Sequence, residues 1–258
     1  MRFREIITNI EKNGAWSVFI LIIIIAGSAA LAAKLPATDI AEVYAPAAEA
    51  FARGDWKYAF HPRIGVFYPA LTGSIVWISG WTGESACQAA SILLFALCCF
   101  PLFATFEMIW DRRTAFAAVL LTAGTSHIVR FVAEGLRDSG KCLGLALMAY
   151  GLCCLVRNRR SLWAGIVFTV GSALLVMLRG EGGIIVVVCG VYACKLVGDW
   201  KRIAAGILLF LLLLLPQLLY NFKVLGYPVP ELRYAVVMQE SGIPPFRTPE
   251  VEIPESAL

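Results

Sequence analysis

The sequence predicts an all-α, polytopic transmembrane protein with about seven spans, and three observations carry that reading. Hydrophobic residues make up 59% of the chain and charged residues only 16%. A soluble domain carries about a quarter charged residues, so the surplus apolar surface needs lipid as its solvent. Long runs such as Ser17-Val-Phe-Ile-Leu-Ile-Ile-Ile-Ile-Ala-Gly contain no ionisable side chain. Basic residues gather in short segments, Arg112–Arg113 and Arg157, Arg159 and Arg160, where the positive-inside bias is counted.

A hydrocarbon core about 30 Å thick calls for roughly 20 apolar residues per helix. Ala15–Ala33 meets that alone, and its apolar run is long for a cleaved leader, so it reads as a retained first helix. Residues 34–83 are too polar at their start to span. Thr38 to Trp56 carries Ala41, Val43, Ala47, Ala48, Phe51 and Ala52 at helical spacing. This suggests an amphipathic helix capped near Thr38 or Asp39 and stopped by Gly54. Farther on, Phe67 to Trp81 is apolar but short and interrupted by Pro69, Gly73 and Gly80. It suits a helix lying in the interface with Trp77 and Trp81 at headgroup depth, an eighth span being the alternative. Six more spans are expected near residues 84–110, 114–130, 140–156, 161–178, 183–198 and 203–221.

With the N-terminus inside, the clusters Arg112–Arg113 and Arg157–Arg160 both fall on the cytoplasmic side of a plasma (inner) membrane. Residues 1–221 then form a transmembrane module. Residues 222–258, with Pro228, Pro230, Pro244, Pro245, Pro249 and Pro254, form an extracytoplasmic tail too proline-rich for a long helix, extended or the start of a truncated continuation. The eight cysteines fall nearly all in apolar runs, and His61 and His127 are isolated, so neither a disulfide framework nor a zinc site is expected. No nucleic-acid partner is expected; membrane lipid is.

Three polar groups land on the outer face. Asp39 is either the cap of the amphipathic helix or a carboxylate that accepts a proton from a polar substrate or holds a cation. Glu134-Gly-Leu-Arg-Asp-Ser-Gly-Lys141 opens an apolar helix, where ionisable groups are costly unless they face water or a partner. Arg137 and Asp138 are a local ion pair there, or Asp138 is a second site carboxylate with Arg130, Arg137 or Lys141 holding an anion such as phosphate. Arg179-Gly-Glu181 is an ion pair in a tight turn, or part of the same site. Pro216 is expected to kink the last helix and Asn221 to cap its carbonyls. The spans carry almost no charge at mid-depth, which favours chemistry at one surface over a conduction path.

The order of features resembles the GT-C membrane glycosyltransferases, in particular the bacterial relatives of protein O-mannosyltransferases and the aminoarabinose transferase of lipid A. The resemblance rests on an outer loop that begins with Asp39 and runs through Tyr44 to Gly54-Asp-Trp56. A Tyr68-Pro-Ala-Leu71 segment follows, then Gly83-Glu-Ser85 and Asp111-Arg-Arg-Thr114. Arg179-Gly-Glu-Gly182 and Asn221 to Gly226 complete it, collinear over about residues 15–230. It implies transfer of a sugar from a polyprenyl-phosphate donor to a glycan, lipid or protein acceptor outside the membrane. Asp39, or Glu42 given the spacing to Tyr44, would be the general base or the holder of a divalent cation, with Asp138 as the second carboxylate. Arg63, Tyr68, Arg130, Arg137, Lys141, Arg179 and Glu181 are the corresponding substrate and phosphate contacts.

Overall fold

A computed structural model describes residues 14–32, 39–61, 64–242 and 244. The described residues are helical throughout, without a named strand. Helix α1 is Gly14–Ala32, followed by a π-helical turn, Ile40–Tyr44, and α2, Ala45–Ala52. Then come α3 (Trp56–Ala59), α4 (Phe67–Ser79), α5 (Gly83–Ile109), α6 (Arg112–Gly124) and α7 (Ser126–Ala133). Helices α8 (Asp138–Arg157), α9 (Leu162–Leu178), α10 (Gly182–Val197), α11 (Trp200–Leu225) and α12 (Leu232–Glu240) complete the chain.

Local chemistry sets the helix ends. Thr82, Asp111, Ser161 and Asp199 each accept a backbone N–H from the first turn of the helix that follows. Helices α10 and α11 stop at Gly198 and Gly226, both left-handed. Helix α11 continues unbroken through Pro216, four residues beyond its expected end.

Each expected span is helical, but the expected seven crossings are not supported. Three helices are long and apolar enough to cross a membrane: α5, α8 and α11. Helices α6 and α7 meet the test only as one span bent by 59° at Thr125, which raises the number to four. The remaining apolar stretches are shorter: Gly14–Ala30, Leu162–Leu178 and Gly182–Val197. A helix of 17 residues, as α9 is, rises only about 26 Å, short of the hydrocarbon thickness.

Two large clusters dominate the core. Val18, Ile22 and Ala26 of α1 pack on Phe95, Cys99 and Phe103 of α5 and Val119 of α6. Ile40, Tyr44 and Ala47 of the outer loop pack with Tyr68 of α4, Cys87 and Leu94 of α5, Leu143 of α8 and Leu178 of α9. Helices α8 and α9 meet along a seam of small residues. A Cβ on Gly151 would stand 2.5 Å from the Phe168 nitrogen, and one on Gly171 would stand 2.5 Å from the Met148 nitrogen. Helix α11 instead turns Leu208, Leu211, Leu212, Leu215 and Leu219 outward, as a lipid-facing helix does.

The bundle has two unlike ends. At one end Arg157 donates to the Met108 carbonyl, joining the ends of α8 and α5. Arg202 donates to the Arg160 carbonyl, joining the α10–α11 turn to the α8–α9 turn. The starts of α8 and α10, the end of α9, and the outer loop meet at the other end. There the segment after α11 turns back. Asn221, fully buried, donates to the Val229 carbonyl at 2.7 Å, and Tyr227 and Val229 pack on Leu225. Residues 226–242, expected to be extended, are therefore docked and include the nine-residue helix α12. Asn221 clasps this returning strap and does not cap its own helix.

Candidate functional site

Of the polar groups named from the sequence, Arg137, Asp138 and Arg179 lie in one charged cluster, with partners other than those expected. Gly135, with φ of 85°, turns the chain between α7 and α8, a conformation that favours glycine. This delivers Arg137 and Asp138 together at the start of α8. They do not pair with each other. Asp138 accepts from Arg179, Oδ2 to Nη2 at 3.1 Å, across from α8 to the end of α9. Arg137 approaches Glu231 of the returning strap, Nη2 to Oε1 at 3.9 Å, with both side chains 9% exposed, and its Nη1 lies 3.4 Å from the Ile64 carbonyl. The expected local pairs, Arg137 with Asp138 and Arg179 with Glu181, are thus replaced by long-range ones.

Glu231 ties the cluster to the α9–α10 turn. Its Oε2 accepts from the Gly180 N–H at 3.0 Å, and Tyr234 donates to the Gly180 carbonyl at 2.6 Å. A Cβ at position 180 would stand 2.4 Å from that Oε2, which leaves room only for glycine. Burial raises the Tyr234 hydroxyl, with the nearby Glu231 charge adding to it. For Arg179, burial is the largest single influence and works against the charge, yet the bond to Asp138 and the charges of Asp138 and Glu181 together outweigh it, and the guanidinium is held more firmly protonated than usual. Its buried Nε has no hydrogen-bond partner among the described residues, so one donor faces inward uncommitted.

Tyr44 roofs the cluster. The Arg137 guanidinium lies 5.8 Å from its ring centroid, and the ring meets that of Tyr68 edge-on at 5.5 Å. Burial raises the Tyr44 hydroxyl, while Arg137 and Arg179 pull it down and Asp39 and Asp138 push it up, so this hydroxyl senses all four charges. Tyr68 is a fixture of the fold. Its hydroxyl donates to the Gly135 carbonyl at 2.5 Å and lies 3.2 Å from that of Cys87, and burial raises it well above the usual tyrosine range.

Asp39 is exposed and makes no side-chain capping bond, so the capping reading fails and the carboxylate is left available. Glu42 is exposed on the π-helical turn that follows. Glu181 is exposed at the start of α10 and acts electrostatically on Arg179 and Tyr234. Arg130 is engaged with Glu134 on its own helix at 2.7 Å and 74% exposed, apart from the cluster. Lys141, half-buried on the first turn of α8, has no hydrogen bond or ion pair among the described residues. Arg63 lies outside the described residues, as does Thr38.

The described residues offer no preformed cage for a divalent cation. A hard cation takes six or more oxygens, Asp138 is committed to Arg179, and no three His, Cys, Asp or Glu side chains group together among the described residues.

Glu231, Tyr234 and Tyr44 are the members that sequence reasoning missed as site residues. Glu231 stands alone between Pro230 and Leu232, and nothing local says that the strap carrying it folds back. Fold and site together define an all-helical protein with helices of membrane-crossing length and a paired-charge cluster at one end. No family model, curated protein or solved structure matches the chain.

Proposed function

We propose that this protein is a membrane glycosyltransferase that moves a sugar from a polyprenyl-phosphate donor to a glycan, lipid or protein acceptor at the extracytoplasmic face. The observation that carries the proposal is the convergence of Asp39, Tyr44, Arg137, Asp138 and Arg179 at the bundle end opposite the basic turns. The collinear resemblance described above supports the same reading. In this reaction the acceptor hydroxyl oxygen attacks the anomeric carbon and gives its proton to a carboxylate. The bond from that carbon to the phosphate oxygen breaks, polyprenyl phosphate leaves, and the configuration inverts.

The free, exposed Asp39 suits the base better than Asp138, whose charge is already matched by Arg179. Arg179, firmly protonated and only partly buried, suits the departing phosphate. Asp138 then holds Arg179 in position. The apolar flanks of the helices suit the polyprenyl chain.

A structural role has one observation in its favour: Arg137 and Arg179 are each matched by a carboxylate, so the cluster also works as a staple. The test separates the two. Membranes carrying the full chain are supplied with a polyprenyl-phosphate-linked sugar, and product and released carrier phosphate are measured. Asp39→Asn should leave expression and melting unchanged and lower transfer by about a hundredfold or more. Asp138→Asn should lower transfer and weaken carrier binding together. Unchanged transfer in both variants, or no transfer by the unaltered chain, would sink the catalytic assignment.

A further inference from the structure

At the end of the bundle away from the charged cluster, Ala164 of α9 packs with Ala193 of α10. Helix α10 touches α11 only sparsely, and between the three helices lies an open groove of about 520 Å³. Its walls are apolar side chains such as Ile166, Val186, Ile207 and Phe210. Gly165 and Gly190 line it with nothing where a Cβ would stand.

The groove's mouth is basic. Arg159, Lys201 and Arg202 rim it. Arg202 is partly engaged with Asp199 at 3.3 Å, whereas Arg159 and Lys201 are exposed and in no ion pair among the described residues. Along α11 the groove runs from Lys201 to Phe210, about 14 Å at 1.5 Å per residue. That is about half of a 30 Å hydrocarbon core, the depth of one leaflet. A polypeptide helix crossing the membrane would call for a full-length furrow without a charged rim at one end.

We infer that this groove holds an anionic phospholipid of the leaflet on the basic side, its acyl chain between α9, α10 and α11 and its phosphate on Arg159 and Lys201. Basic pockets between transmembrane helices recognise anionic headgroups by the same charge complementarity. The site is separate from the Asp138–Arg179 cluster and stands whether or not that cluster transfers a sugar.

Native mass spectrometry of the full chain in a neutral detergent tests this, with phosphatidylglycerol or phosphatidylcholine of matched chains added. The unaltered protein should retain phosphatidylglycerol at least about tenfold more tightly. Arg159→Gln with Lys201→Gln should abolish the preference. Gly190→Leu and Gly165→Leu, which fill open space, should reduce retention of phosphatidylglycerol while the circular-dichroism melt stays unchanged. Inorganic phosphate at equal concentration should not displace the lipid. Equal retention of both lipids overturns the inference. So does a preference indifferent to the basic residues, displacement by phosphate alone, or a polypeptide found cross-linked in the groove.

Discussion

Glu231 shows how one side chain sets the energetics of the cluster. It places one oxygen toward a buried guanidinium and the other on the Gly180 N–H, so removing it takes this carboxylate from the guanidinium and the acceptor from the Gly180 N–H. Glu231→Ala should therefore cost about 3 kcal/mol in detergent-mediated unfolding. Glu231→Gln, which keeps an acceptor for Gly180, should cost about half as much. Wild-type stability in both variants would contradict the arrangement. Asp138 and Arg179 were legible as candidates because ionisable residues stand out between apolar runs. Their partners were not, because pairing across helices depends on how α8 and α9 rotate, and spacing along the chain does not encode that. Glu231 was illegible for a further reason: six prolines in the tail argue for extended chain, and for residues 226–242 it is long-range contacts, among them the Asn221 clasp and the packing of Tyr227 and Val229, that reverse that expectation.

At the scale of elements, the seam between α8 and α9 holds the two charge-bearing helix ends in register. Its glycines let the backbones approach, a packing mode that replaces the hydrophobic effect where the surroundings are as apolar as the side chains. Gly151→Val would drive two methyl groups toward the Phe168 backbone. It should destabilise the protein by about 1–3 kcal/mol and loosen the α8–α9 seam, seen as faster cleavage of the α8–α9 turn by added protease. Unaltered protease resistance would show that the seam does not set the register. The existence of these helices was plain in the sequence, since uncharged runs of that length have few other uses. Their number of crossings was not. Thr125 bends α6 away from α7, and α9 and α10 fall short of full thickness, and both facts depend on helix ends that composition blurs by a few residues.

For the whole molecule, the segregation of charge predicts an orientation. Arg112, Arg113, Arg157, Arg159, Arg160, Lys201 and Arg202 gather at one end, so that end should face the cytoplasm. In a cysteine-free background, Glu181→Cys should react with a membrane-impermeant maleimide in intact cells, and Arg159→Cys only after permeabilisation. The reverse pattern would invert the molecule and place the charged cluster inside.

The strap that carries Glu231 also bears on how the protein is made. Helices α8 and α9 are neighbours in sequence and can close on each other as soon as both have left the ribosome, so Asp138 meets Arg179 early. Arg137 does not receive the Glu231 carboxylate until residue 231 emerges, after α10 and α11 have been made. A nascent chain stalled before that point lacks the Glu231 contacts to Arg137 and Gly180. Docking of the strap is therefore a late step: the Arg137–Glu231 pair can form only after the Asp138–Arg179 pair can.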